Sequence, residues 1–349
     1  MLFYPSHDIA LAHGVRHFNP PAAALRLQED LASLSHIWNA PYEAGEVPFP
    51  QPWGWDWDTR RHLHDAYGVK MSQLPTDEQL ELIRQLSSRR TTIELQERLA
   101  SALEPHEPLK PFEPFKPLKP SLPLPSFLTS PEAVESFIAA HDSAHRPFVL
   151  KTPWSSSGRG LTRSDVSRET LLRHAQATIQ RMGGIMGEEW IEDKRQDFAM
   201  LFFASDHDVR FLGYSLFDND GTTYRQGYLM SNERIVERLG IEPHRLEALS
   251  KAYVTILSEL FAPFFGHGWQ LGYVGIDMMT YGEASGIGPA TNDSLCIAPC
   301  VEMNLRCTMG VVCRLWYDEH QQEGIFRISP MAENGHFRAE FLTDLTNLE

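Results

Sequence analysis

The stretch Phe148-Val-Leu-Lys-Thr-Pro-Trp-Ser-Ser-Ser-Gly-Arg-Gly-Leu161 decides how this chain is read. It opens as a short apolar strand, Phe148 to Leu150, and delivers Lys151 into a loop of three serines and two glycines around Arg159. Backbone N–H groups approach phosphate oxygens closely only where side chains are small, and the lysine and arginine add positive charge, so the pattern suits a polyphosphate. It is not a Walker loop, because the lysine precedes the glycines. The plain competitor is a Ser/Gly hairpin turn after a strand.

A second stretch, Cys300-Val-Glu-Met-Asn-Leu-Arg-Cys-Thr-Met-Gly310, weighs against that competitor. In a strand Glu302, Asn304 and Arg306 share one face while Val301, Met303 and Leu305 face a core. Upstream, Gly272 to Thr280 is a strand candidate carrying one acid, Asp277, and Tyr281 to Asp293 reads as a loop. A hairpin centred near Pro289 and Ala290 sets Asp277 opposite Glu302. Two carboxylates and an amide oxygen then converge as hard ligands for Mg²⁺ on nucleotide phosphates. The competing readings are a sheet with a polar outer face and a salt bridge from Glu302 to Arg306.

Taken together, Val149-Leu-Lys151, the loop Ser155 to Gly160, Gly275-Ile-Asp277 and Glu302-Met-Asn-Leu-Arg306 resemble the ATP-grasp superfamily in order and separation, over roughly residues 85 to 315. The resemblance implies an α+β ATP-grasp fold whose two α+β lobes clasp ATP, preceded by a small α/β-like N-terminal domain. It implies an ATP-dependent carboxylate–amine ligase working through an acyl phosphate, with ATP and Mg²⁺ (or Mn²⁺) as cofactors. Lys151 and the loop Ser155, Ser156, Ser157, Gly158, Arg159 and Gly160 would hold the phosphates. Asp277, Glu302 and Asn304 would hold the metal. Glu188 or Glu189 would accept from the adenine amine, backbone groups near Trp190 and Ile191 would read the ring edge, and Asp197 would hold the ribose. The family has a lysine near position 90 that reaches the phosphates; Arg89 or Arg90 stands there instead, and Arg90 is taken for the role. Arg306 and Lys151 are the catalytic candidates. Arg225 and Arg306 are the candidates for contacting the acceptor. A kinase on the same fold and a nucleotide-binding module without turnover are the alternatives.

The expected regions are 1–85, an N-terminal domain; 86–126, a helix with a proline-rich insert; and 127–349, the ATP-grasp domain. Within the first, Leu2-Phe-Tyr-Pro reads as the start of a strand and Pro21 to Leu34 as a helix. Trp53-Gly-Trp-Asp-Trp57 reads as core rather than a stacking surface. His7, Asp8 and His13 read as hydrogen-bonded structural side chains rather than metal ligands. Between Glu104 and Pro125, prolines recur every third residue from 105 to 123, the period of a polyproline helix. A rod docked on the body, a solvated linker and a ligand for a proline-recognising partner are the three readings.

The chain has 349 residues, 42% of them hydrophobic, and a formal net charge of −15. That length supports a large core, and the charge argues against nucleic acid or an anionic membrane as partner. No apolar run approaches a membrane span, and the N-terminus lacks signal-peptide features, so a cytoplasmic protein is expected. The partners expected are small-molecule or peptide carboxylates and amines, with a homodimer left open. Cys296, Cys300, Cys307 and Cys313 form no C-x-x-C pair and read as reduced core thiols.

Overall fold

Strand and helix boundaries follow from alternation and from capping. The computed structural model describes residues 2–103, 123–155, 160–221, 223–282, 295–331 and 335–343. Six helices precede the first strand: α1 (His7–His13), α2 (Ala22–Asp30), α3 (Ser35–Glu43), α4 (Trp57–Tyr67), α5 (Asp77–Leu86) and α6 (Thr91–Ala102). Then come β1 (Ser126–Leu128), α7 (Pro131–Ala144), β2 (Phe148–Lys151), β3 (Leu161–Arg163), α8 (Arg168–Met182) and β4 (Ile185–Glu189). Three strands, two helices and two more strands follow in the order β5 (Lys194–Ala204), β6 (Val209–Asp220), β7 (Thr223–Leu229), α9 (Asn232–Leu239), α10 (Pro243–Phe261), β8 (Gly272–Gly282) and β9 (Leu295–Asn304). The last elements are α11 (Met309–His320), β10 (Gly324–Pro330) and β11 (Phe337–Leu342).

The small lobe is a four-stranded antiparallel sheet in the order β1-β4-β2-β3. Phe148 and Leu150 of β2 point into a core with Leu128, Val134, Ile138, Leu171, Ala175 and Ile185, so α7 and α8 cover that face. Val149 and Lys151 therefore face the other way. Both helices begin on serine caps: Ser130 accepts from Ala133 N–H and Ser167 from Thr170 N–H.

The large lobe is a seven-stranded antiparallel sheet, β11-β10-β7-β6-β5-β8-β9. It is covered on both faces, which explains the nearly unbroken apolar run of β5. Phe198, Met200, Phe202 and Ala204 pack into one cluster with Leu246, Leu249, Tyr253 and Leu257 of α10. Ala199 and Leu201 pack into the other with Val311 and Val312 of α11 and with Phe3, Trp38 and Trp53. The two-lobed α+β architecture agrees with the fold class expected from the sequence.

The N-terminal region departs from the α/β-like domain expected. Residues 2–103 contain helices and no strand among the described residues. Leu2 makes a single strand-like bond, accepting from Trp53 N–H at 2.9 Å. Pro5 lacks an N–H to extend such a pairing, and α1 begins two residues later. The buried side chains of this region also join the two clusters of the large sheet: Trp55, Leu63, Leu80, Ile83 and Leu95 on one face, Phe3, Trp38 and Trp53 on the other. The tryptophans at 53 and 55 are core, as read. The helix expected at Pro21–Leu34 stops at Asp30 and passes through a 3₁₀ turn at Ala32–Leu34 into α3. The proline-rich insert falls almost wholly on residues 104–122, outside the described residues.

The C-terminal hairpin, which no sequence pattern announced, closes one edge of the sheet. Glu340 accepts from Arg327 Nε at 3.0 Å and Ser329 Oγ at 2.7 Å, and also pairs with Arg338. The Arg338, Ser329 and Arg327 hydrogen bonds hold its carboxyl down at about 2. A carboxyl depressed on folding stabilises the fold above its ordinary range, and that contribution disappears as pH falls through the folded value. Glu340→Gln should therefore lower the melting temperature at pH 7, and the gap from wild type should shrink steadily between pH 5 and pH 2. Melting curves across that range check it; a gap independent of pH would show that the ion pairs contribute nothing.

Candidate active site

The register of β8 and β9 builds the centre of the site. Asp277 pairs with Glu302, Ile276 with Met303 and Gly275 with Asn304. Ile276, Met278 and Met303 enter the core below, so the residues between them turn to the opposite face. Residues directly opposite in an antiparallel pair hold their Cβ atoms about 4.5–5.5 Å apart, which puts the two carboxylates side by side. The hairpin's centre, Pro289 and Ala290, lies outside the described residues, but the register expected from it is the one found. A bulge after Asp277 shifts the pairing to Met279 opposite Ala298.

Burial, then the neighbouring Glu302 charge, pushes the Asp277 carboxyl up to about 7, against the pull of Arg306 and of the Asn304 hydrogen bond. Asn304 Nδ2 donates to Asp277 Oδ2 at 2.9 Å. Every other acid around it has its own cation. Glu302 pairs with Arg89 at 2.9 Å, Glu188 with Lys151 at 2.5 Å, Asp8 with Arg306 at 2.8 Å and Asp197 with Lys194 at 2.7 Å. Asp277 has no ion pair among the described residues. Two carboxylates and an amide, one carboxylate lacking a counter-charge, fit a divalent cation by donor type and by charge. No group of three or more His, Cys, Asp or Glu suited to a metal exists among the described residues.

Arg89 ties the two lobes together. Its backbone N–H donates to Pro153 O at 2.8 Å; Nη1 donates to Thr152 O and to Ser155 Oγ, both at 2.8 Å; Nη2 reaches Glu302. Arg89 is buried, whereas Arg90 is exposed and lies over the Phe127 ring at 5.2 Å. The arginine at the site is thus Arg89, not the Arg90 chosen from sequence. Two adjacent residues at a helix start point in different directions, and only the packing of α6 against the large sheet decides which turns inward. Glu302, too, is bonded to Arg89 and not to Arg306.

Lys151 ends β2 on the face turned away from α7 and α8. Across the sheet Val149 pairs with Glu188, so Glu188 shares that face, while Glu189 pairs with Phe148 and bonds Arg146 at 3.0 Å on the other. Of the two glutamates, Glu188 alone belongs with Lys151. Its Oε1 is buried and has no hydrogen-bond partner among the described residues. The thiol of Cys300 lies amid these groups: burial, then Glu188, Asp277 and Glu302, push it far up, against Lys151. Burial likewise raises Cys307 and Cys313, and none of the four cysteines forms a disulfide.

Of the loop expected to hold phosphates, Ser155 and Gly160 are described, and Ser156, Ser157, Gly158 and Arg159 lie outside the described residues. Gly160 has φ +75°, and a Cβ there would sit 2.3 Å from Thr152 Oγ1, so the loop returns onto Thr152 only with glycine at this point. The Trp190 N–H is already bonded to Pro147 O at 2.8 Å and its ring carries Arg163 at 4.3 Å, so that N–H does not read an adenine edge in this arrangement. Ile191 follows it, half-buried. Asp197 accepts from Lys194 and from Asn219, both at Oδ2. Arg225 is exposed on β7, three strands from β8 and hence roughly 14 Å across the sheet, and is not brought to the carboxylates. His7 and Asp8 are held by hydrogen bonds within the chain, to Asp56 and Arg306 respectively. Sequence reasoning gave Asp8 no part in the site, and no local motif marks it.

No protein-family model matches the chain, and no characterised protein sequence does. Solved structures similar to it include Campylobacter jejuni biotin carboxylase as a beta-gamma-ATP complex, 11% identical over 85% of this chain and 63% of that one, TM-score 0.48. The biotin carboxylase domain of Hydrogenobacter thermophilus 2-oxoglutarate carboxylase is 14% identical over 89% and 63%, TM-score 0.44. N5-carboxyaminoimidazole synthetase from Staphylococcus aureus is 11% identical over 71% and 57%, TM-score 0.40. The chain thus spans about three-fifths of the length of the structures it matches. No described helix is long and apolar enough to cross a membrane.

The lone carboxylate gives a direct test. A carboxyl raised on folding costs nothing below its ordinary range, and the cost grows as pH rises through its folded value. Without divalent ions Asp277→Asn should therefore melt higher than wild type at pH 8, with the difference fading by pH 5. Mg²⁺ with ATP should raise the wild-type melting temperature and leave the variant unmoved; equal gains in both would remove Asp277 from a metal site. Glu302→Gln is a poorer probe, because it strands the buried Arg89 without its partner.

Proposed function

We propose that this chain is an ATP-grasp ligase that joins a carboxylate to an amine through an acyl phosphate, releasing ADP and phosphate. The observation that carries the proposal is the convergence of Lys151, Arg89 and Arg306, each neutralised by one carboxylate, around Asp277, which has none. A triphosphate and a divalent ion satisfy both sides of that arrangement. The triphosphate competes with Glu188 and Glu302 for Lys151 and Arg89. Asp277, Glu302 and the Asn304 amide oxygen would hold Mg²⁺, which when bound neutralises phosphate charge and polarises the transferring phosphoryl group.

In this reading Glu188 Oε1, buried with no described donor, accepts from the adenine amine while its Oε2 steadies Lys151. Asp197 Oδ1 receives a ribose hydroxyl, its Oδ2 already holding Lys194 and Asn219. A substrate carboxylate oxygen attacks the γ-phosphorus, and the ADP oxygen leaves with the bonding pair. The amine nitrogen then attacks the acyl carbon, phosphate leaves, and the nitrogen loses a proton. Lys151, Arg89 and Arg306 stabilise the negative charge that develops on the transferring group; no nucleophilic side chain is required.

Two measurements test this. Phosphate release should appear when MgATP is incubated with pooled carboxylates and amines, and the product mass should equal the two substrates less one water. A phosphorylated carboxylate as end product would make the chain a kinase, and no ATP-dependent release in any pool would defeat the reading. Lys151→Met should weaken ATP binding about ten- to a hundred-fold, the loss of a charge-assisted contact of roughly 1.5–3 kcal/mol. Unchanged affinity in the folded variant would place the triphosphate elsewhere.

A further inference from the structure

The ATP-grasp resemblance begins near residue 85, yet the N-terminal segment is built into the site. Arg306 Nε donates to Asp8 Oδ1 at 2.9 Å and Oδ2 at 3.0 Å, its Nη2 lies 2.8 Å from Asp8 Oδ2, and Nη1 donates to Cys307 O at 3.1 Å. Both side chains are only 16% exposed. The contact is anchored on each side. His7 Nδ1 lies 3.3 Å from Asp56 Oδ2, and Asp56 Oδ1 caps α4 through Thr59 N–H at 2.7 Å. Cys307 N–H donates to Trp53 O at 2.6 Å, and Trp53 N–H to Leu2 O. Gly54 lets these parts meet: a Cβ there would sit 2.7 Å from His7 Nε2 and 2.9 Å from Arg306 Cβ.

A guanidinium has five N–H donors in one plane. Asp8 takes the Nε–Nη2 edge and Cys307 O takes one donor of Nη1, which leaves one donor on each Nη nitrogen. These two form a fork at the end of the group, the geometry that grips a phosphate or carboxylate. Arg306 also feels Glu302 and Asp277, so it belongs to the same electrostatic neighbourhood. Unpaired, it would share that space with Lys151 and Arg89 as a third cation on a flexible stem.

We propose that Asp8 is a positioning residue for Arg306: its carboxylate fixes the guanidinium so that the remaining Nη fork meets the transferring phosphoryl group. This rests on the ligase reading above. The alternative is a staple that merely ties α1 to the sheet. Asp8→Asn, Asp8→Glu, Arg306→Met and the Asp8→Asn/Arg306→Met double variant distinguish the two. Melting is followed without ligand and with MgATP, and phosphate release with the pooled substrates. Positioning predicts that Asp8→Asn keeps the MgATP melting gain but loses at least tenfold in release, and that it costs nothing further once Arg306 is methionine. Asp8→Glu retains the ion pair but moves it by one methylene; it should melt like wild type and still lose release several-fold. Release within twofold of wild type in either folded variant, or an equal further loss in the Arg306→Met background, overturns the proposal while leaving the ligase reading intact. A wild type with neither a MgATP melting gain nor phosphate release overturns both.

Discussion

Two carboxylates set directly across neighbouring antiparallel strands repel each other, and partial burial makes the repulsion stronger. The rest of the site is arranged around that constraint. The register that causes it is held by apolar side chains: Ile276, Met278 and Met303 enter the core, and a one-residue slip would drive the acids into it instead. Glu302 is relieved by Arg89, whereas Asp277 has only the more distant pull of Arg306 and the Asn304 amide, and holds its proton more tightly. A protein under pressure for stability alone has little reason to keep such a pair.

The cations share the same logic. Lys151, Arg89 and Arg306 come from three separate parts of the chain, and each rests on a carboxylate. Unpaired, three buried cations this close would repel one another, and each carboxylate removes that penalty. Arg89 has a second task. By holding Pro153, Thr152 and Ser155 as well as Glu302, it fixes the segment after β2 of the small lobe against β9 of the large one.

Period-two alternation and the apolar spacing of helices act through nearest neighbours, and those were legible. The amphipathic helix α10 runs from Pro243 to Phe261 as its apolar spacing implies, and α5 starts on the Thr76–Gln79 capping box. The face shared by Asp277, Glu302 and Asn304 also followed from alternation, since a strand leaves its side chains no other choice. The strand expected at Leu2–Pro5 failed because pairing needs a partner and a donor, and the segment has one bond and a proline. The β10–β11 hairpin went unread because its residues alternate weakly; it exists through pairing with β7 and through Glu340's three partners.

By itself, then, the sequence determined the strand carrying Lys151 and which acids share a face. Only the tertiary structure decided which of Arg89 and Arg90 enters the site, which of Glu188 and Glu189 faces Lys151, and that Asp8 grips Arg306. The physical reason is the same in each case. Which way a side chain at an element's end points, and what it meets, is set by the packing of distant segments, and 298 residues separate Asp8 from Arg306.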